Sequence, residues 1–65
     1  MELSYEDYQK YHLKKLIFVF NDNSDYEGTL AGFRQDEKGE ISTLLLQEGV
    51  APILLENVKN ILMVN

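Results

Sequence analysis

Residues 16–34 read LIFVFNDNSDYEGTLAGFR, and this stretch decides the fold. Its first part, residues 16–20, is β-branched and aromatic, is apolar on both faces and is too short for a helix, so it predicts a buried strand. Residues 21–25 are dense in turn formers. Residues 26–34 predict a second strand, in which Gly28 and Gly32 mark a sharp bend or a close approach of the backbone.

The flanking sequence adds a helix before this stretch and three strands after it. Ser4 stands three residues before Asp7, a weaker form of the capping box, and the predicted helix covers about residues 4–13. Further strands are predicted at about 41–48, 50–55 and 61–64, with a polar loop at 35–40 and one tight turn at 56–60. Pro52 has no N–H to donate and belongs on an edge or at a strand start. The chain is therefore predicted to be mainly β: one domain over residues 1–65, with a strongly bent, five-stranded, SH3-like small barrel at about 15–65.

Composition points to self-association. A core built from 65 residues is marginal, and the chain has no cysteine and one histidine, which excludes disulfides, thiolate zinc sites and an imidazole cluster. The predicted fourth and fifth strands are apolar on both faces, and a monomer would leave one face and the strand edges exposed. We expect these strands to pair with neighbouring subunits through Val50, Ile53, Leu55, Ile61, Leu62 and Val64.

The charge balance bears on the partners. Eleven acidic and six basic residues give a net charge of −5. Such a chain repels a polyanion unless Arg34, Lys38 and Lys59 converge on one face of an assembly; otherwise they are solvated surface cations. The longest apolar run, residues 16–20, is too short to cross a bilayer and no signal peptide is visible, so we expect a cytoplasmic protein with no membrane partner.

The sequence offers no residues for catalysis or cofactor binding. It contains no phosphate-binding glycine loop, nucleophile elbow or metal-ligand pair, and we expect no enzyme activity, cofactor or metal. The acids Asp36, Glu37 and Glu40 lack the spacing of a calcium loop and are read as a solvated loop.

The helix carries the remaining candidates for binding. Tyr5, Tyr8 and Tyr11 recur every three residues, and packing on the barrel is favoured over a stacking platform for bases. His12 is expected at the surface or at an interface.

The order of elements, together with the pattern IxVxNDxxxYxGxLxGF over residues 17–33, resembles the first signature of the Sm and Sm-like proteins, which include bacterial Hfq. Val58 and Ile61 resemble the hydrophobic pair that closes the second signature. The resemblance implies an N-terminal helix before a bent five-stranded barrel, and a ring of subunits joined through strands four and five, with RNA bound near the central hole.

Two functions follow from this resemblance. In the first, a homo-oligomeric ring binds RNA by stacking near Phe33, with phosphates met by Arg34, Lys38 and Lys59. Arg34 and Lys38 stand where the family has Asp and Asn, and Glu56 lies near a position where the family has a cation. A carboxylate there opposes phosphate binding. The second function is therefore a protein-interaction or scaffolding module that keeps the barrel and does not bind RNA.

Overall fold

The computed structural model of the protein describes residues 1–49 and 51–64. Its helix, α1 (Tyr5–Tyr11), begins after Ser4, whose Oγ accepts a hydrogen bond from the Asp7 N–H at 3.1 Å. This confirms the predicted cap. The helix is shorter than the predicted 4–13, because His12 leaves the helical conformation and Leu13 has a left-handed φ of 63°. The Leu13 N–H then donates to the Leu30 carbonyl at 2.8 Å, which turns the chain onto the sheet.

Five antiparallel strands follow α1, and they form one sheet in the order β4-β3-β2-β1-β5. They are β1 (Lys15–Phe20), β2 (Asp25–Gln35), β3 (Ile41–Leu46), β4 (Ile53–Leu54) and β5 (Val58–Met63). The predicted fold class, mainly β with an N-terminal helix and five strands, is confirmed. The sheet differs from the expected barrel in one respect: it is not closed, because β4 and β5 lie at its opposite ends.

The long strand β2 belongs to both halves of the sheet. It pairs with β1 up to Thr29 and with β3 from Leu30 onward, with a register shift between Leu30 and Gly32. A Cβ atom at Gly28 would lie 2.7 Å from Leu46 Cδ1, which is too close for an unstrained contact. The close approach predicted for this glycine is therefore confirmed, and it lies where β2 passes from one partner to the other.

Two elements near the C-terminus differ from their predicted bounds. β4 has only two residues and follows Pro52, while residues 55–57 form a short 3-10 helix. The turn predicted at 56–60 is shorter than expected, since Val58 already belongs to β5. Asn21 holds this turn: its N–H donates to the Asn57 carbonyl at 2.9 Å and its Nδ2 donates to the Glu56 carbonyl at 3.0 Å.

The core lies between the two halves of the sheet and under α1. Leu16, Phe18, Leu30 and Leu44 are fully buried. Around them lie further buried apolar residues from α1 and the C-terminal part of the chain, namely Leu3, Tyr8, Leu46, Ile53, Leu55, Val58 and Ile61. Among the described residues no polar or charged residue is buried, so the interior is held by apolar contact alone.

Candidate functional site

Phe33, the residue proposed to stack on bases, lies under the helix. Its ring is half-buried and meets the Tyr8 ring edge-on, with the centroids 4.6 Å apart, while the exposed Tyr5 ring is 6.0 Å away. Burial, with a smaller contribution from Tyr5, raises the pKa of the Tyr8 hydroxyl above its ordinary value. The predicted packing of the helix on the sheet is confirmed for Tyr8. Phe33 supports α1, and Tyr8 covers part of its ring.

The Tyr5 side chain is the exposed member of this aromatic group. It is 57% exposed and stacks beside Tyr8 with the ring centroids 6.2 Å apart. The third tyrosine, Tyr11, is half-buried against the core. Residue spacing predicted that the helix packs on the sheet, but it did not reveal that Tyr5 stays in solvent at the end of the cluster.

Arg34 and Lys38 lie at the β2–β3 end of the sheet among acids. Arg34 is exposed near the end of β2, opposite Thr43. Lys38 lies in the β2–β3 turn, where its N–H and that of Glu40 donate to Asp36 Oδ1 at 2.9 and 3.0 Å. The Asp36 carboxylate therefore organises this turn. It also places a negative charge beside the two cations, which weakens them as an anion site.

Lys59 lies elsewhere, at the β1–β2 turn. Its Nζ donates to Asn23 Oδ1 at 2.8 Å, and its strand neighbour Asn60 pairs with Val19 of β1. The β1–β2 turn and the β2–β3 turn lie at opposite ends of β2. One subunit therefore offers Lys59 separately from Arg34 and Lys38.

The residues predicted at subunit contacts divide into three groups. Val50 lies outside the described residues. Ile53, Leu55 and Ile61 are 7, 2 and 6% exposed, and their side chains pack in the core of the chain itself. Leu62 and Val64 are exposed, at 46 and 39%, and Met63 between them is 53% exposed. These three exposed apolar residues stand at and just after the C-terminal end of β5, where Leu62 and Val64 project to one face of the sheet and Met63 to the other. We call them together the β5 surface.

The backbone of β5 is also unpaired on its outer side. Within residues 1–49 and 51–64, β5 pairs only with β1, and β4 pairs only with β3. The Val64 N–H donates to the Lys15 carbonyl at 3.0 Å. Since hydrogen-bonded and non-hydrogen-bonded positions alternate along an antiparallel ladder, Leu62 also bonds to β1, while the backbone groups of Ile61 and Met63 face the open edge. There the Ile61 N–H donates to Asn60 Oδ1 at 2.9 Å, so the Met63 N–H is the donor that remains for a neighbouring strand.

His12, the residue that follows α1, contacts both β2 and the helix. His12 Nε2 lies 3.2 Å from the Ala31 carbonyl, and its ring stacks on Tyr8 at a centroid distance of 5.4 Å. In the described residues, no group of three His, Cys, Asp or Glu side chains is placed to hold a metal ion. Nor does any helix in those residues have the length and apolar character needed to cross a bilayer.

Comparison with known proteins adds no relative: no protein-family model, no curated protein and no solved structure matches this chain.

Proposed function

We propose that this chain is an Sm-like subunit whose copies join edge to edge into a homo-oligomeric ring, and that the ring serves as a scaffold for protein interactions. The observation that carries the proposal is the pair of open strand edges at the two ends of one five-stranded sheet. Pairing of β5 in one copy with β4 in the next is a head-to-tail contact. Such contacts close into a ring when the rotation between copies permits it.

The chemistry of the β5 surface supports self-assembly. An exposed strand edge with unpaired N–H and C=O groups is a template for another strand. On β5 that edge lies beside three exposed apolar residues, Leu62, Met63 and Val64. Pairing would satisfy the Met63 N–H and remove apolar area from water in the same contact.

Protein scaffolding is favoured over RNA binding by the same geometry. Phe33 is packed against Tyr8, and Lys59 lies at the opposite end of β2 from Arg34 and Lys38. The net charge of −5 adds repulsion of a polyanion. RNA binding by the ring is a second candidate, which the exposed Tyr5 ring favours because aromatic faces stack on bases.

Light scattering on the purified chain tests the assembly. We expect a mass of several chains at low and at high salt, each chain being 7.5 kDa. The variant Leu62→Asp places a charge on the β5 surface and is expected to give the mass of one chain while keeping the parent's circular dichroism. Tyr5→Asp is the matched control, because Tyr5 is 57% exposed and its ring lies beside Tyr8 and Phe33 rather than beside β5. A parent chain that is monomeric, or a Leu62→Asp variant that keeps the parent mass, contradicts the proposal.

An RNA titration separates the two candidate functions. A fluorescently labelled single-stranded RNA of mixed sequence is titrated with the parent chain at low salt and again at high salt. Scaffolding predicts no binding at either. Binding at low salt that falls steeply as salt rises and weakens in Tyr5→Ala would instead support RNA binding.

A further inference from the structure

A groove of about 600 Å³ lies between the β1–β2 turn and the segment that leads into β4. Its apolar lining includes Phe20, Tyr26, Pro52 and Leu54. Leu54 is 43% exposed and Tyr26 is 36% exposed, so both present apolar surface to solvent. This volume is within the range of ligand-binding sites in proteins, and it suits a few side chains of a bound partner.

Two carboxylates, Asp22 and Asp25, also line the groove, and no Lys or Arg does so among the described residues. Asp22 Oδ1 accepts hydrogen bonds from the Ser24 N–H at 2.9 Å and from Ser24 Oγ at 2.5 Å. These bonds lower the pKa of Asp22, and the carboxylate stays ionised at neutral pH. Lys59 contacts the β1–β2 turn, but its Nζ bonds to Asn23, which does not line the groove.

Self-assembly does not account for these charges. A second copy that docks through its β5 surface brings Leu62, Met63 and Val64, none of which is a cation. The cation of β5 itself, Lys59, is held by Asn23 of its own chain. The groove combines apolar side chains, an exposed aromatic ring and two carboxylate side chains. A cation beside an aromatic ring and a carboxylate is attracted by both. Charge complementarity therefore points to a positively charged occupant with apolar groups beside the charge.

We propose that this groove binds a short peptide segment of another protein in which Lys or Arg residues stand next to apolar residues. The apolar side chains contact Phe20, Pro52 and Leu54, and the cation lies between Tyr26 and the carboxylates of Asp22 and Asp25. This goes beyond self-assembly through β5, since it assigns the groove to a partner of different chemistry. Leu54 belongs both to β4 and to the groove, so peptide binding and docking of a neighbour's β5 are measured separately.

The test uses three capped hexapeptides that have the same length and the same number of valines: alternating Val-Lys, alternating Val-Gln and alternating Val-Glu. Each is titrated into the ¹⁵N-labelled full chain, and both the dissociation constant and the shifted amide signals are recorded. We expect the Val-Lys peptide to bind at least about five-fold more tightly than the Val-Gln peptide, and the Val-Glu peptide not to bind. The shifted signals should fall in residues 20–26 and 51–54.

Matched variants distinguish the groove from general attraction to an acidic protein. Asp22→Asn with Asp25→Asn removes the two groove charges and keeps an oxygen that accepts from Ser24. Glu6→Gln with Glu37→Gln makes the same change in net charge at exposed sites outside the groove. We expect the first pair to weaken binding of the Val-Lys peptide about five-fold or more, and the second pair to leave it unchanged.

Each of the remaining outcomes overturns the proposal. For the peptides, these are no binding of the Val-Lys peptide, equal binding of the Val-Lys and Val-Gln peptides, or amide shifts outside the groove. For the controls, they are equal losses of binding in the two variant pairs, or spermidine, titrated in the same way, binding as tightly as the Val-Lys peptide. Groove signals that shift on raising the protein concentration alone would assign the groove to a second copy. Light scattering of the groove variant keeps the two ideas separate, because loss of peptide binding with the parent's mass leaves assembly through β5 untouched.

Discussion

A proline placed at Met63 is expected to weaken assembly and leave the subunit folded. The backbone N–H of Met63 faces the open side of β5, because Val64 and Leu62 bond to β1 on the other side. Met63 is also 53% exposed, so its replacement leaves the core intact. Proline is tolerated on an edge strand where the missing N–H would point to solvent.

The size of the effect follows from the contacts removed. Met63→Pro deletes one hydrogen bond of each subunit contact, worth about 1 kcal/mol, and its ring obstructs the approach of the neighbouring strand. Because β4 has only two residues, few other backbone bonds remain in that contact. A loss of about 1 kcal/mol weakens each contact about five-fold, and a closed ring suffers that loss at every contact.

Leu62→Pro is the matched control one residue away. Its N–H points to β1, so proline there removes a ladder bond inside the subunit. The cost of about 1–3 kcal/mol is a large part of the roughly 3–5 kcal/mol that holds a domain of this size together. Light scattering gives the mass, and urea unfolding followed by circular dichroism gives the stability. The reasoning is refuted if Met63→Pro keeps the parent mass, or if it loses as much stability as Leu62→Pro.

Two further predictions concern stability. At Leu13, whose left-handed φ is 63°, Leu13→Gly should be more stable than Leu13→Ala by about 1 kcal/mol, because glycine adopts this conformation without strain. At Gln9, inside α1, Gln9→Ala should instead be more stable than Gln9→Gly by about the same amount, because alanine favours the helix. Urea unfolding of the four variants checks both signs. The Thr29 N–H donates to Glu48 Oε1 at 2.9 Å and lowers the pKa of Glu48 below its ordinary 4.5. The folded-state pKa is the lower one, so this stabilisation is present above about pH 4.5 and is lost as the pH falls through the folded-state value. The stability of Glu48→Gln should therefore depend less on pH in that interval, and an equal dependence contradicts the assignment.

Local rules account for the parts of the fold that the sequence predicts. The apolar run at 16–20, the turn formers after it and the cap at Ser4 each act on neighbouring residues, and the structure has β1, a turn and α1 there. The element bounds that differ from the prediction depend on residues that are distant in sequence. Val58 joins β5 because that strand has β1 to pair with, and the helix ends at Tyr11 because the backbone of Leu13 bonds to Leu30.

The candidate site was harder to predict because it depends on packing between distant segments. Phe33 matches the family pattern at its position, yet whether its ring is free depends on Tyr8, which comes 25 positions earlier in the chain and covers it from α1. The apolar character of Ile53 and Ile61 was visible in the sequence. Their burial, and the exposure of Leu62 next to Ile61, depend on which face of each strand the fold turns toward the core, and a run that is apolar on both faces does not reveal that.

Two separate energetic costs fall on the same edge of the subunit. Leu62, Met63 and Val64 leave apolar surface in water, and the backbone of β5 beside them has no strand on its outer side within the described chain. Either feature alone is ordinary, since single exposed apolar residues are common and every open sheet has edges. Their coincidence is different, because one antiparallel neighbour removes both costs, and β4 at the other end of the sheet offers the complementary open edge. A small domain whose core is marginal by size would gain stability from such a contact, which is the physical reason to expect assembly before any partner is sought.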